Sequence, residues 1–450
     1  MSLSVGQRRR ARQLVSALAA GVVALGALSV CAEPLATLSL DQALVSAQQR
    51  SRQLPAQAAA EQAARELARA AAQRPDPTVT LAVNNLPVSG PDGFSLTRDF
   101  MTMRSVGVMQ EFTRRSTLAA RSTKFEREAD SADAAALLAL AALRRDTALA
   151  WLERHFQQRQ RELLRSLRTE AALAVEAADV AFRGGRGALA DGFAARSALA
   201  LIDDRLAQAE QQSAVATTRL ARWVGAAAQL PLPQGPTEDP SQPPRWAVLR
   251  IDPDAPDALE TTLDHHPGLA VAAGAQAVAN AEVALAQGNA QANWSVALML
   301  SQRGPAYSNM VSVTVSVPLQ LDRSNRQDRE VSAKVALALQ LREQREELRR
   351  EHAAQIRSDW QAWQGTRARL ARFDAAVLPL AAQRTQAATA AYRGGAGALS
   401  AVLDARRAEI ETRIERLRLE GELASRWAPL EFLLPPAVNA APQVPSFKDE

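Results

Sequence analysis

FRGGRGALADGFAAR at Phe182–Arg196 returns as YRGGAGALSAVLDAR at Tyr392–Arg406. The two stretches align without a gap at an offset of 210 residues, and 8 of their 15 positions are identical. Alanine matches mean little in an alanine-rich chain, but RGG and GAL recurring in one order do not follow from composition. The chain therefore reads as a tandem duplication. A repeat unit of 210 residues exceeds every solenoid period, so each copy must be a large half-structure.

Outward from these turns, each half reads helix, strands, very long helix, RGG turn, helix. The first half spans residues 33–229 and the second 256–434. Between them, over 230–255, prolines from Pro231 to Pro253 remove so many N–H groups that a regular helix is excluded. Leu40 to Gln73 is an alanine-rich helix-forming stretch with Asp41 near its start, where a carboxylate suits the helix dipole; Pro75 and Pro77 end it. Its counterpart runs from Ala255 to Gln291, with Pro267 echoing Pro55. The tail 435–450, with Pro435, Pro436, Pro442 and Pro445, is expected to be disordered.

Strand signals occur at equivalent points of the halves. In Met310 to Leu319, Val311, Val313, Val315 and Val317 alternate with Ser312, Thr314 and Ser316, a strict period of two. Its partner is Trp294 to Ser301, and in the first half Thr78 to Asn84 and Arg104 to Phe112 play these parts. Two separated hairpins are expected, apolar on one face and polar on the other.

The remaining sequence is helical. Two segments, Ser116 to Val180 and Asn325 to Ala391, are each long enough to reach roughly 100 Å at the α-helical rise. Apolar residues recur at spacings of three and four: Leu149, Leu152, Phe156, Leu163 and Leu167 in one, Ile356, Trp360, Trp363, Leu370, Phe373, Val377 and Leu380 in the other. This narrow seam suits antiparallel coiled-coil packing; the plainer alternative is a helical bundle buried around Trp360 and Trp363. Pro379 is expected to kink the second segment, where the first has Thr169. The fold class is mainly α with a small β part.

Residues 1–32 read as a signal peptide: Arg8, Arg9, Arg10 and Arg12 precede an apolar run from Leu14 to Val30, and Val30-Cys31-Ala32 has the small-x-small pattern of a cleavage site. A retained membrane anchor is the alternative. Lipidation of Cys31 is a second one, disfavoured by the bulky Val30 directly before it. Cleavage after Ala32 removes the lone cysteine, and with it disulfides and thiolate metal sites. It also removes four unopposed arginines, taking the net charge from +5 to +1, which does not describe a nucleic-acid binder.

Four strands cannot leave their edges open in lipid, and the smallest transmembrane barrels need about eight, so several protomers must contribute. No nucleophile elbow, phosphate loop or metal-ligand cluster is evident. His155 and His352 lie in the long helices, the adjacent His265 and His266 cannot both face one ion from a regular helix, and six Met are scattered. The chain is expected to be no enzyme, with no metal site and no cofactor.

The order and spacing of several motifs resemble the outer membrane efflux proteins, the TolC-like outer membrane factors, and within them the heavy-metal efflux branch. The resemblance covers nearly the whole chain after residue 32. It rests on LSLDQAL at Leu38–Leu44, QEF at Gln110–Phe112, VPLQLDRSN at Val317–Asn325, the two RGG turns, and the stretch from Ala401 to Leu433 that resembles the family's usual ending. Where the family often has a proline and glycines after QEF, this chain has Thr113, Arg114, Arg115 and Ser116.

The resemblance implies a homotrimer in the outer membrane of a Gram-negative bacterium, with a shared twelve-stranded barrel and a long periplasmic helical tunnel. The tunnel tip would dock on a periplasmic adaptor, a membrane fusion protein bound to an inner-membrane RND-type pump. Cargo, metal cations by the branch, would diffuse passively through the duct. The competing reading is a secreted coiled-coil structural or adhesion protein.

At the tips, Gly184, Gly185, Gly187, Gly394, Gly395 and Gly397 permit left-handed backbone and close approach of another chain. Arg183 and Arg393 suit carbonyl capping or a bond to a partner. The resemblance makes these eight residues an adaptor-docking surface. It also implies an acidic tunnel end at Asp404, with Ala401 at the family's other acidic place; Asp191 is the weaker candidate. On a threefold axis three copies of Asp404 would form a cation-attracting ring, against the alternative that Asp404 pairs with Arg406 or Arg407.

Overall fold

Ser39 opens the first helix with a reciprocal cap: its Oγ accepts the Gln42 N–H at 3.2 Å, while Gln42 Oε1 accepts the Ser39 N–H at 3.0 Å. The computed structural model describes residues 37–235, 239–245, 263 and 266–434. The expected signal peptide, Cys31, His265, connector residues 236–238 and 246–255 and the tail 435–450 lie outside the described residues.

The helix expected from Leu40 to Gln73 is two helices, α1 (Leu40–Arg50) and α2 (Gln53–Ala71). Pro55 has no N–H for the Ser51 carbonyl four residues back, and its ring crowds that carbonyl, so the break falls at Ser51. Strands β1 (Thr78–Asn84) and β2 (Met103–Phe112) follow. Only Thr113 and Arg114 separate β2 from α3 (Arg115–Arg183), an unbroken helix of 69 residues. An RGG turn leads to α4 (Leu189–Val224). The second half continues with α5 (Pro267–Asn289), β3 (Trp294–Gln302), β4 (Met310–Ser316) and α6 (Gln327–Arg372). A π turn at Phe373–Val377 joins α6 to α7 (Leu378–Arg393), and the second RGG turn leads to α8 (Leu399–Glu431).

Pro379 does not end the second long helix. It follows the π turn, whose Leu378 N–H reaches back five residues to Phe373 O, while α3 runs through Thr169 as α-helix. β4 stops at Ser316 because Pro318 cannot extend the ladder; Val317 and Leu319 lie beyond it.

The two hairpins are not separate. All four strands form one antiparallel sheet in the order β1-β2-β3-β4, with β2 of the first half paired to β3 of the second through Val106↔Leu300 and Val108↔Leu298. Such long-range pairing leaves no local signature in either segment. The register aligns Val79, Leu81, Val106, Val108, Leu298, Leu300, Val311, Val313 and Val315 on one face. Leu81 is 78% and Val313 67% exposed. The other face carries Thr80, Ser105, Ser301, Ser312 and Thr314. Among the described residues β1 and β4 have no outer partner.

Trp151, Trp363 and Trp427 pack with Leu40, Leu44, Leu220 and Leu423 in the principal core. The connector is strapped across it: Arg154 donates to Leu230 O at 2.8 Å, Trp363 Nε1 to Pro240 O at 3.1 Å, and Leu38 N–H to Pro231 O at 2.9 Å. Farther along the long helices the core narrows to Leu167, Ala171, Ile202 and Ile410, then to Ala178, Ala181, Ala195 and Leu399 near the RGG turns. The expected seam holds through Leu370 and is lost after the π turn, where Val377 is 40% and Leu380 62% exposed.

Candidate functional site

The two RGG turns repeat one backbone pattern. Gly184 N–H bonds Val180 O at 2.9 Å, Gly185 N–H bonds Phe182 O at 3.0 Å and Arg186 N–H bonds Ala181 O at 2.9 Å. The second turn matches it with Gly394 to Ala390, Gly395 to Tyr392 and Ala396 to Ala391, at 2.9, 3.1 and 2.9 Å. The bond spanning five residues marks a Schellman ending, which needs one left-handed residue. That residue is Gly185 at φ +70° and Gly395 at φ +75°.

The other glycines act differently from the expected left-handed role. Gly184 and Gly394 sit at φ −82° and −78°. A Cβ on Gly187 would stand 3.0 Å from Ala181 Cβ, and one on Gly397 3.1 Å from Ala391 Cβ, so these positions admit the chain against the helix it has just left. Carbonyl capping by Arg183 and Arg393 is not how the helices end. Backbone N–H groups take those carbonyls, and both arginines are exposed with no side-chain hydrogen bond or ion pair among the described residues.

The two acids part company. Asp191 accepts the Ala188 N–H at 3.1 Å and caps α4, a bond whose counterpart the second turn lacks because Ala401 stands there. Asp404 is exposed, and the arginines beside it are engaged elsewhere: Arg406 with Glu170 and Glu409, each at 3.5 Å, and Arg407 with Glu411 at 3.5 Å. Asp404 borders a cavity of about 290 Å³ between α3, α4 and α8, with alanines in its walls and Arg205, Arg406 and Arg407 at its rim.

Just behind this cavity lies a charged cluster that the sequence reading missed. Glu409, 3% exposed, binds Arg406 and Arg413 on its own helix, and both arginines reach Glu170 of α3 at 3.5 and 3.4 Å. The signal was present as Arg406, Glu409 and Arg413 at spacings of three and four on one helix face. Each hairpin is further pinned by ion pairs, Asp179 to Arg196 at 3.1 Å and Asp374 to Arg416 at 2.6 Å. The cluster ties the two hairpins together; the pairs tie each to itself.

Among the described histidines, His266 and His352 lie side by side. His266 caps α5 through Nδ1, which accepts the Gly268 N–H at 3.1 Å, and its ring lies 4.3 Å from that of His352. Burial holds His266 down to about 4, so the imidazole is neutral and free to accept. Among the described residues no group of three or more His, Asp or Glu is placed to hold a metal ion.

No family model and no curated protein matches the chain in sequence. Its fold matches solved outer-membrane channels. The outer-membrane channel OprN aligns at a TM-score of 0.71 and 18% identity over 88% of this chain and 89% of its own. The outer membrane protein VceC of Vibrio cholerae gives 0.71 and 18% over 88% and 95%, and CusC, described for its transmembrane channel formation, gives 0.68 and 15% over 88% and 92%. At these identities the likeness shows a shared fold: a long helical body with a small antiparallel sheet.

Proposed function

We propose that the chain is one protomer of a trimeric outer-membrane exit duct. Its sheet supplies a third of a twelve-stranded barrel, and its α3–α4 and α6–α8 hairpins supply a third of a periplasmic tunnel. The observation that carries this reading is the sheet itself. It has a continuous exposed apolar face, an opposite face mainly of small and polar residues with Met109, Met299 and Met310 among them, and two open edges that in lipid require strands from further copies. The fold shared with outer-membrane channels supports it.

The duct is passive. Energy comes from an inner-membrane RND-type pump, coupled through a periplasmic adaptor that docks on the RGG turns, where the exposed Arg183, Arg186 and Arg393 flank backbone bare of side chains. Residues 33–229 and 256–434 act as the two structural repeats, each contributing one hairpin and two strands. Asp404, unpaired among the described residues, supplies a negative ring at the tunnel end and suits cationic cargo, metal ions by the family resemblance.

Expression in a Gram-negative host followed by membrane fractionation tests the reading. Heat-modifiable trimers in the outer-membrane fraction that conduct ions in planar bilayers are the expected result. A soluble periplasmic monomer would overturn it and favour the secreted coiled-coil alternative.

A further inference from the structure

The apolar face of the sheet ends in aromatics where its strands meet the helices. Phe112 closes β2 and Trp294 opens β3, and the register that aligns Val106, Val108, Leu298 and Leu300 on the exposed face puts this pair there too. The rings stack at 4.4 Å and 12°, and Trp294 remains 43% exposed. Aromatics at the rim of an apolar band settle at the boundary between hydrocarbon and lipid headgroups.

Arginines surround the pair from separate links of the chain. Arg74, leaving α2, stands 5.8 Å from the centroid of the Phe112 ring, and its link is pinned to β2 by Gln110 Nε2, which donates to Pro75 O at 2.9 Å. Arg114, two residues after Phe112, donates to Gln291 Oε1 in the link that enters Trp294. Arg115 follows it. All three are exposed, and neither Arg74 nor Arg115 has a hydrogen bond or ion pair among the described residues.

Few acids offset this charge. Over residues 72–77, 113–116 and 290–293 the sole carboxylate is Asp76. Glu111 lies on the opposite face of the sheet, where it accepts from Asn293 Nδ2 at 3.0 Å. Helix stability does not account for the arginines either. The first turn of α3 holds no acid and begins at Arg115, although the helix dipole favours a carboxylate there.

We infer that this cluster binds the phosphate of an anionic phospholipid from the periplasmic leaflet, with Arg74 and Arg115 donating to its oxygens and Arg114 adding its charge. The inference rests on the exit-duct reading, which puts the helical end of the sheet at the periplasmic boundary. The guanidinium fork matches two phosphate oxygens at once. The acyl chains then run along Val108 and Leu298, which are 49% and 54% exposed. A zwitterionic headgroup brings its own cation against three arginines, so the site selects lipids of net negative charge. β2 and β3 are the inner strands of the sheet, and further copies join at β1 and β4, so the seam that carries Phe112 and Trp294 still faces lipid in the assembly.

Native mass spectrometry of the full-chain oligomer, extracted in detergent and titrated with phosphatidylglycerol or phosphatidylcholine of identical acyl chains, tests the site. Phosphatidylglycerol should be retained in preference, one lipid per chain. Arg74→Gln with Arg115→Gln should weaken its retention by about fivefold for each arginine removed and leave phosphatidylcholine unchanged. Excess inorganic phosphate should not strip the lipid; if it does, the cluster is a site for free phosphate and the lipid assignment fails. A wild-type trimer that retains both lipids equally, a comparison that needs no variant, overturns the site and leaves the duct standing. So does a folded double variant with its preference intact. A soluble periplasmic monomer overturns the duct reading and the site with it.

Discussion

The Asp191 carboxylate accepts the backbone N–H of Ala188 at 3.1 Å, closing the first turn of α4. Asp404, six residues beyond Ala398, the counterpart of Ala188, makes no such bond and has no ionic partner among the described residues. The two acids, at different positions of the repeat, thus do different work, one satisfying a backbone donor and the other left to present its charge.

Replacing each by alanine separates these roles. Asp191→Ala should cost about 1 kcal/mol of local stability, read as faster amide hydrogen exchange over the start of α4, without altering ion selectivity. Asp404→Ala should reduce the preference for cations, measured as the reversal potential across a bilayer in a salt gradient. An unchanged reversal potential would place Asp404 away from the conduction path.

Adjacent residues of β4 should respond oppositely to the same substitution. Val313→Arg puts a charge on the apolar face and is expected to cost about 2–4 kcal/mol near the membrane midplane, whereas Thr314→Arg faces the other way and should be tolerated. The yield of SDS-resistant oligomer in outer membranes reports the difference. Equal losses would mean that the apolar face does not meet lipid.

The RGG turns offer a backbone test. Gly185→Ala and Gly395→Ala force a Cβ onto left-handed backbone, φ +70° and +75°, at a cost of about 1 kcal/mol each. Both sites are open, with no atom within 4 Å of the added Cβ, so the effect is conformational and not a clash. Adaptor capture on immobilised oligomer should weaken several-fold while the oligomer's melting temperature moves by only a few degrees. Undiminished capture would remove the turns from the docking surface.

Acid should loosen the bundle through His155. The side chain is 2% exposed and stacks on Trp151 at 5.2 Å, and its Nε2 has no partner. Burial, then Arg159, holds its pKa down from 6.5 to about 4, partly offset by Glu420 and Glu162. The folded state binds fewer protons than the unfolded one between these values. The stabilisation is therefore complete above pH 6.5 and falls away as the pH drops toward 4, by up to about 3 kcal/mol. The melting temperature of the wild-type chain should drop more between pH 7.5 and 4.5 than that of His155→Phe, which keeps the stack and removes the titration; parallel curves would reject the assignment.

Features with a short period were legible in the sequence. Val311 to Ser316 announces a strand by strict alternation, and both ends of β1 and the start of β3 were read correctly, β3 running one residue past the expected Ser301. The RGG turns were legible because a left-handed helix ending selects glycine. What depends on partners distant in the chain was not. The β2–β3 pairing, the Glu170 to Arg406 link and the straps from Trp363 and Arg154 to the connector join residues 76 to 236 positions apart. The capping role of Asp191 was hidden because Ala188 offers no side-chain half of a capping box.

The π turn at Phe373–Val377 has a consequence for how the two copies came to differ. One residue of helix advances a face by about 100°, so a turn that accommodates an extra residue rotates everything downstream of it relative to the helix upstream. The apolar stripe that runs inward through Trp363 and Leu370 is re-indexed before it reaches Val377 and Leu380, and those side chains emerge exposed. The helix leading to the second tip is thus out of phase with its own upstream part, whereas α3 reaches the first tip without such a turn. Removing Ala375, and with it the π turn, would carry the buried stripe of Trp363 and Leu370 on in phase toward the second tip.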